Sequence, residues 1–162
     1  MRIADWGLRI EDNPRCLPQG LRIGEHPSVN LKLGQGKTRD SGMDDSIQSI
    51  SSRIRQEGEA SWKWNLFEFV DAFRLHPSAT LVQPAPDSEL TDRMRALLAS
   101  CVETLCEERG IDSPAWCQET APLAHPWFVS GVENLKASAL VESPVHFRKR
   151  NIFVLGNFLD RV

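Results

Sequence analysis

The sequence predicts an all-α fold, a small bundle of about five or six helices that follows an irregular N-terminal extension. In residues 43–162, apolar residues recur every three or four positions, the spacing of a helix with one buried face. Residues 1–42 contain six glycines and three prolines, and their apolar residues follow no sustained period. We therefore expect a flexible or irregular extension over residues 1–42 and a helical domain over residues 43–162. One hypothesis is that the natural chain starts at Met43.

Two helices are expected in the first part of the domain. Asp44 or Asp45 can cap the first helix, whose apolar face consists of Ile47, Ile50 and Ile54. Ser61 can cap the second, which runs to about Leu75 and ends before Pro77 because proline disfavours a helical residue ahead of it. Its apolar residues form one stripe: Trp62, Leu66, Phe69, Val70 and Phe73.

Trp64 lies outside the apolar stripe of the second helix. It is two residues from Trp62, which places the two side chains about 200° apart around the helix. Only one of them can lie at the centre of the buried face. Trp64 is therefore either covered by another segment of the chain or exposed as a candidate partner-binding residue.

The longest helix is expected after a proline-containing linker, residues 77–86, in which residues 80–82 are briefly extended. Asp87 or Ser88 can cap this helix, and Gly110 is the expected residue at its C-terminal end. Its predicted core face consists of Leu90, Met94, Leu97, Leu98, Cys101, Val102 and Leu105. The acidic residues expected on the opposite, solvated face are Glu103, Glu107 and Glu108.

The last third of the domain contains short helices separated by prolines. Ser113 and Pro114 suit the first two positions of one helix, whose Trp116 would pack back onto the longest helix. Ser143 starts another helix, which leads to an extended or turn-like tail. Between them, Trp127 and Phe128 are expected to be buried anchors, and residues 133–141 are expected to be helical. The inward positions predicted for that segment are Val132, Leu135, Ala139 and Leu140.

The net charge of −3 is unevenly distributed along the chain. Residues 1–42 contain seven Lys or Arg and five Asp or Glu, whereas residues 43–162 contain twelve and seventeen. An acidic body argues against broad nucleic-acid binding, which needs a basic face. The one basic cluster is Arg148, Lys149 and Arg150. It either stabilises the end of a short helix through the helix dipole or contacts phosphate or an acidic protein.

The cysteines and histidines do not indicate a metal centre or a reaction. The four cysteines have no Cys-x-x-Cys spacing, and we expect no bound zinc; they are Cys16, Cys101, Cys106 and Cys117. No known catalytic motif is present, so we expect no catalytic residue and no cofactor. If the protein were an enzyme, His125 and His146 would be the best candidates for a general base. The first fifteen residues do not resemble a secretory signal, and the expected location is cytoplasmic.

Several short motifs resemble those of a known group of proteins. They are Pro114-Ala115-Trp116, Pro126-Trp127-Phe128, Glu142-Ser143-Pro144, Phe147-Arg148 and Arg150-Asn151-Ile152-Phe153-Val154. Over roughly residues 60–160 the chain is similar to a bacterial helical domain found C-terminal to helix-turn-helix regulators of the Xre type. Similar stand-alone copies occur beside nucleotidyltransferase-like genes, in an arrangement resembling toxin–antitoxin pairs. The resemblance implies no active-site residue.

The function expected from the sequence is non-catalytic protein binding. The resemblance implies an antitoxin-like or accessory partner of a nucleotidyltransferase-like protein. The candidate partner-binding residues are Trp64, Arg148, Lys149 and Arg150. Two alternatives stay open: a nucleic-acid-binding regulator that uses the basic cluster, and an enzyme of unknown type. Residues 1–42 are too rich in glycine and proline to form a helix-turn-helix, the element that implies DNA binding in the regulator members.

Overall fold

The computed structural model describes residues 45–160, and these residues are mostly helical. The seven α-helices of this part of the chain are Ile47–Glu57 (α1), Trp62–Leu75 (α2), Ala79–Val82 (α3), Asp92–Arg109 (α4), Ala115–Glu119 (α5), Lys136–Glu142 (α6) and Val145–Arg148 (α7). Single turns of 3₁₀ helix precede α2 and α6, at Glu59–Ser61 and Glu133–Leu135. The helical fold is thus confirmed for these residues, whereas the predicted extension over residues 1–42 lies outside them.

Two very short strands pair with each other in the last third of the domain. Trp127–Phe128 (β1) and Ile152–Phe153 (β2) run parallel, with Trp127 opposite Ile152 and Phe128 opposite Phe153. The rings of Phe128 and Phe153 stack with centroids 5.0 Å apart. The tail was expected to be extended or turn-like, but its pairing with the segment that contains Trp127 was not predicted.

α4 is the central helix, and it packs against α2, α5 and α7. Every residue of its predicted core face is buried, including Leu90, which precedes the helix. Neighbouring positions outside that face are buried as well, because other helices cover α4 from several directions: Ala96, Ala99, Ser100, Glu103 and Cys106. Gly110 has φ 64°, and its N–H bonds to the last carbonyls of the helix, which confirms the predicted C-terminal end.

α1 and α2 cover one side of this core. The three isoleucines of α1 and the whole apolar stripe of α2 are buried, as predicted. The predicted cap of α1 was wrong: the Oγ of Ser46 accepts the N–H of Ser49, so Ser46 and not Asp45 is the cap. The other candidate, Asp44, lies outside the described residues.

The start of α4 was also predicted wrongly. Thr91 caps it by accepting the N–H of Met94, several residues after the expected position. Asp87 is used elsewhere, because its N–H donates to the Oγ of Ser51 on α1 and its carboxylate accepts the guanidinium of Arg55. The linker residues 80–82, expected to be extended, belong to the single-turn helix α3.

The prediction for the segment around α6 was partly wrong. Ala139 is buried and Leu135 is half-buried, but Leu140 and Val132 are each 48 % exposed. α6 is only seven residues long and packs mainly against β2, so it has a narrow buried side. Trp127 and Phe128, expected to be buried, are half-buried. Pro114, one residue after the expected cap Ser113, precedes α5.

The residues after β2 return to α2 and close the core. Leu159 is buried, and its carbonyl oxygen accepts a 2.7 Å hydrogen bond from Nη1 of Arg74. The ring of Phe158 lies about equally far from three aromatic rings, with centroid distances of 6.2 Å to Trp62, 5.9 Å to Phe67 and 5.7 Å to Phe147. The end of the domain is therefore part of its hydrophobic core.

Replacing Leu98 with Asp should unfold the domain. Leu98 is 1 % exposed, and a carboxylate at this position would be buried without a partner, at a cost of several kcal/mol. Val141→Asp is the matched control, because Val141 is 81 % exposed and its replacement should change stability by less than about 1 kcal/mol. Thermal unfolding followed by circular dichroism measures both. A Leu98→Asp melt equal to that of the wild type would contradict the placement of this helix face.

Candidate functional site

Glu103 lies at the centre of a buried ion cluster, which corrects the prediction that it faces solvent. Its Oε2 is 2.6 Å from Nη1 of Arg150 and 2.6 Å from Nζ of Lys149. Glu103 and Arg150 are 4 % and 2 % exposed. Phe147 anchors α7 in the core beside α4, so the residues that follow α7 meet the acidic side of α4. Helix period alone could not detect this contact, because the partners are 47 residues apart.

Arg150 joins three helices through the same guanidinium group. Nη1 also donates to the carbonyl oxygen of His146 on α7, at 3.2 Å, and Nη2 donates to the carbonyl oxygen of Cys117 on α5. The predicted partner-binding cluster is therefore divided by the fold. Arg150 is buried and internally paired, Lys149 is partly exposed but paired with Glu103, and Arg148 is exposed.

The pKa of Glu103 lies below its ordinary value. Burial by itself raises the pKa of a carboxyl group, but the hydrogen bonds and positive charges of Arg150 and Lys149 outweigh that effect. Glu103 is therefore ionised at neutral pH. A buried carboxylate paired in this way stabilises the fold only while it keeps its charge.

The two histidines considered as general bases have different surroundings. The ring of His146 lies between two carboxylates, with Nε2 2.9 Å from Oε2 of Glu107 and Nδ1 3.2 Å from Oε2 of Glu103. His125 is exposed in the loop that precedes β1. Among residues 45–160, neither ring is hydrogen-bonded to a hydroxyl or thiol group that it could activate.

The cysteines of the described region are buried free thiols: Cys101, Cys106 and Cys117. Burial raises the pKa of all three, and that of Cys117 reaches about 12, so these thiols are protonated at neutral pH. Cys16 lies outside the described residues. Within residues 45–160, no three His, Cys, Asp or Glu side chains are grouped so that they could hold a metal ion.

Trp64 is 66 % exposed on α2, and Leu75 near the end of the same helix is 72 % exposed. Eleven residues separate them, which places their side chains about 20° apart around the helix and about 16 Å apart along it. They therefore belong to one outer face of α2, which we call the α2 face. Arg148 lies on another helix, α7, next to Val145, which is 57 % exposed. The predicted partner-binding residues thus do not form one cluster.

The described part of the chain contains a cleft of about 730 Å³. Its walls are the first turn of α4, helix α5 and the loop of residues 121–126, and we call it the α4–α5 cleft. The guanidinium of Arg93 lies over the ring of Trp127, 5.0 Å from the ring centroid. Nη2 of Arg95 donates to the carbonyl oxygens of Ser88, at 2.6 Å, and Leu90, at 3.3 Å. Neither arginine was predicted as a site residue from the sequence, because no local pattern links Arg93 to Trp127 or Arg95 to the cleft.

Comparison of the chain with family models, with curated proteins and with solved structures found no significant match. The resemblance to the helical domain of Xre-type regulators stays a prediction. None of the helices in residues 45–160 has both the length and the apolar character needed to cross a bilayer.

The Glu103–Arg150 pair should make the fold sensitive to acid. Glu103→Gln leaves Arg150 buried without a countercharge, so it should cost about 3 kcal/mol or more at pH 7. Because the folded pKa of Glu103 is lowered, its contribution is fully present above the ordinary pKa that a glutamate has in the unfolded chain. It is then lost as the pH falls through the folded pKa. Urea unfolding between pH 7 and pH 3 should therefore show a smaller loss of stability for Glu103→Gln than for the wild type.

Glu107→Gln is the matched control for this experiment. Glu107 is on the same helix and also contacts His146, but its side chain is 71 % exposed. Its replacement should cost less than about 1 kcal/mol. Equal losses of stability for the two variants at pH 7 would contradict a special role for the buried pair.

Proposed function

We propose that this chain is a non-catalytic protein-binding domain. The observation that carries the proposal is the α2 face, where Trp64 and Leu75 expose most of their apolar surface on a helix whose opposite side is fully buried. Aromatic residues dominate the energetics of protein interfaces. The α2 face therefore presents an aromatic and an aliphatic side chain that a partner could cover.

The proposed partner is a nucleotidyltransferase-like protein, with this chain in an antitoxin-like or accessory role. This part of the proposal rests on the motifs in residues 114–154 that resemble the Xre-associated domain. The three buried cysteines of the described region are free, as is usual for proteins in a reducing compartment, and this supports a complex formed in the cytoplasm.

The nucleic-acid alternative has less support. Of the three basic residues on which it depends, Arg150 is buried and both Arg150 and Lys149 are 2.6 Å from the carboxylate of Glu103. Their positive charges are largely offset within the protein. Arg148 alone would release too few counterions to hold a duplex at physiological salt.

Trp64→Ala should weaken binding of the partner. The full-length protein, carrying an affinity tag in its source cell, should recover one protein in stoichiometric amount, and mass spectrometry should identify it as nucleotidyltransferase-like. Isothermal titration of the purified pair should show at least about tenfold weaker binding for Trp64→Ala, as for other buried interface tryptophans. Val141→Ala, at an exposed apolar site on α6, is the control and should bind like the wild type. Equal affinity of Trp64→Ala and the wild type would remove the α2 face from the interface.

The protein should not bind duplex DNA appreciably at physiological salt. Fluorescence anisotropy with a labelled duplex of mixed sequence provides the measurement. Any weak affinity for the duplex at low salt should fall as salt is added, because it depends on phosphate contacts that release counterions. Submicromolar binding at physiological salt that is lost in Arg148→Ala would favour the regulator hypothesis instead.

A further inference from the structure

The α4–α5 cleft has the dimensions of a ligand site. Its volume of about 730 Å³ falls within the range of roughly 300–1,000 Å³ that is usual for binding pockets. Two half-buried tryptophans, Trp116 and Trp127, line it together with Pro86, Pro122 and Pro126. These rigid side chains offer apolar contact area at a small entropic cost. Neither Trp64 nor Leu75 of the α2 face lines this cleft.

Arg93 provides an ordered donor group at the cleft. Its guanidinium lies over the ring of Trp127, and within residues 45–160 it forms no hydrogen bond or ion pair. Arg95, in contrast, already donates to two carbonyl oxygens. A guanidinium presents a planar fork of donors that matches a carboxylate, and stacking on an aromatic ring orients that fork before a ligand arrives.

The loop of residues 121–126 adds further donors in a fixed position. Among the described residues, the N–H groups of Ala124 and His125 form no hydrogen bond. The loop is nevertheless held in place, because the N–H of Leu123 donates to the carbonyl oxygen of Arg150 and Nδ2 of Asn151 donates to the carbonyl oxygen of Leu123. An extended peptide can satisfy such free backbone donors.

The charges at the cleft select against a polyanion. Arg93 and Arg95 are offset by Asp92 and Glu119, which also line the cleft. A nucleic acid or a run of acidic residues would meet those two carboxylates at once. A segment with one carboxylate placed at Arg93 avoids this repulsion.

We propose that the α4–α5 cleft binds a short extended peptide segment that carries a single acidic side chain between apolar residues. The carboxylate pairs with the guanidinium of Arg93, and the apolar neighbours contact the tryptophans and prolines of the cleft. This inference rests on the proposed function in one respect, namely that the natural source of the peptide is the protein partner. The α4–α5 cleft is then a second contact site for the partner, separate from the α2 face.

The probe for this proposal is the tripeptide acetyl-Leu-Glu-Leu-amide, and the matched control peptide is acetyl-Leu-Gln-Leu-amide, which differs only in its charge. Both are titrated into the full-length ¹⁵N-labelled protein, with assigned tryptophan indole N–H signals. The glutamate peptide should shift the Trp127 and Trp116 signals in a saturable way. It should bind about tenfold more tightly than the glutamine peptide, as expected for a hydrogen bond between charged groups.

Variants of Arg93 test the assigned contact. Arg93→Gln should bind the two peptides equally, and Arg93→Lys should retain only part of the preference, because an ammonium group lacks the planar fork. Arg109→Gln, at an exposed arginine at the other end of α4 and outside the cleft, should behave like the wild type. Because Arg93 is exposed, its replacement should leave the thermal unfolding temperature unchanged. An unchanged thermal melt then shows that the variant is folded.

The outcomes separate this inference from the proposed function. Unchanged discrimination in Arg93→Gln, equal binding of both peptides to the wild type, or the absence of any shift would overturn the cleft assignment. The Trp127 indole signal is also measured with a single-stranded thymidine octamer. A larger shift with the octamer than with the glutamate peptide would overturn the cleft assignment in favour of a nucleic-acid ligand. If the captured partner binds Arg93→Gln normally but is lost with Trp64→Ala, the protein-binding function holds and the role of the cleft in that complex is refuted.

Discussion

The rest of the structure depends on the buried ion pair between Glu103 and Arg150. Neither group can be buried alone, because an unpaired charge in the core costs several kcal/mol. Each therefore requires the other in place, and Arg150 also requires the carbonyl oxygens of His146 and Cys117. The pair thereby fixes the positions of α4, α5 and α7 with respect to one another, which apolar contacts alone define less specifically.

The position of the candidate ligand site follows from this pair through a short series of contacts. The carbonyl oxygen of Arg150 accepts the N–H of Leu123, and the next residue, Asn151, adopts a left-handed φ of 58° that turns the chain into β2. β2 then pairs with β1 and holds Trp127 in place. Trp127 in turn lies against the guanidinium of Arg93 at the cleft. A buried structural interaction therefore orients an exposed group that is available for binding.

The basic cluster shows that charged residues adjacent in sequence can have different environments in the fold. From the sequence, Arg148, Lys149 and Arg150 look equivalent. In the structure they differ in burial, because the chain turns at the end of α7 and only one of the three side chains points into the core. One signal in the sequence could have revealed the burial of Glu103. It lies on a second stripe of α4 with Ala96, Ala99 and Cys106, and small residues at this spacing allow another helix to approach closely.

The sequence by itself determined the three longest helices, α1, α2 and α4, and their main buried faces. Periodicity is a local property, so the stripes on α1, α2 and α4 and the end of α4 at Gly110 could be predicted from neighbouring residues. Only the tertiary structure decided which basic residue pairs with Glu103, which strands pair and where the cleft lies. Glu103 and Arg150 are 47 residues apart, and Arg93 and Trp127 are also distant in sequence. Such contacts depend on how the helices pack around α4, and no local pattern in the chain encodes that arrangement.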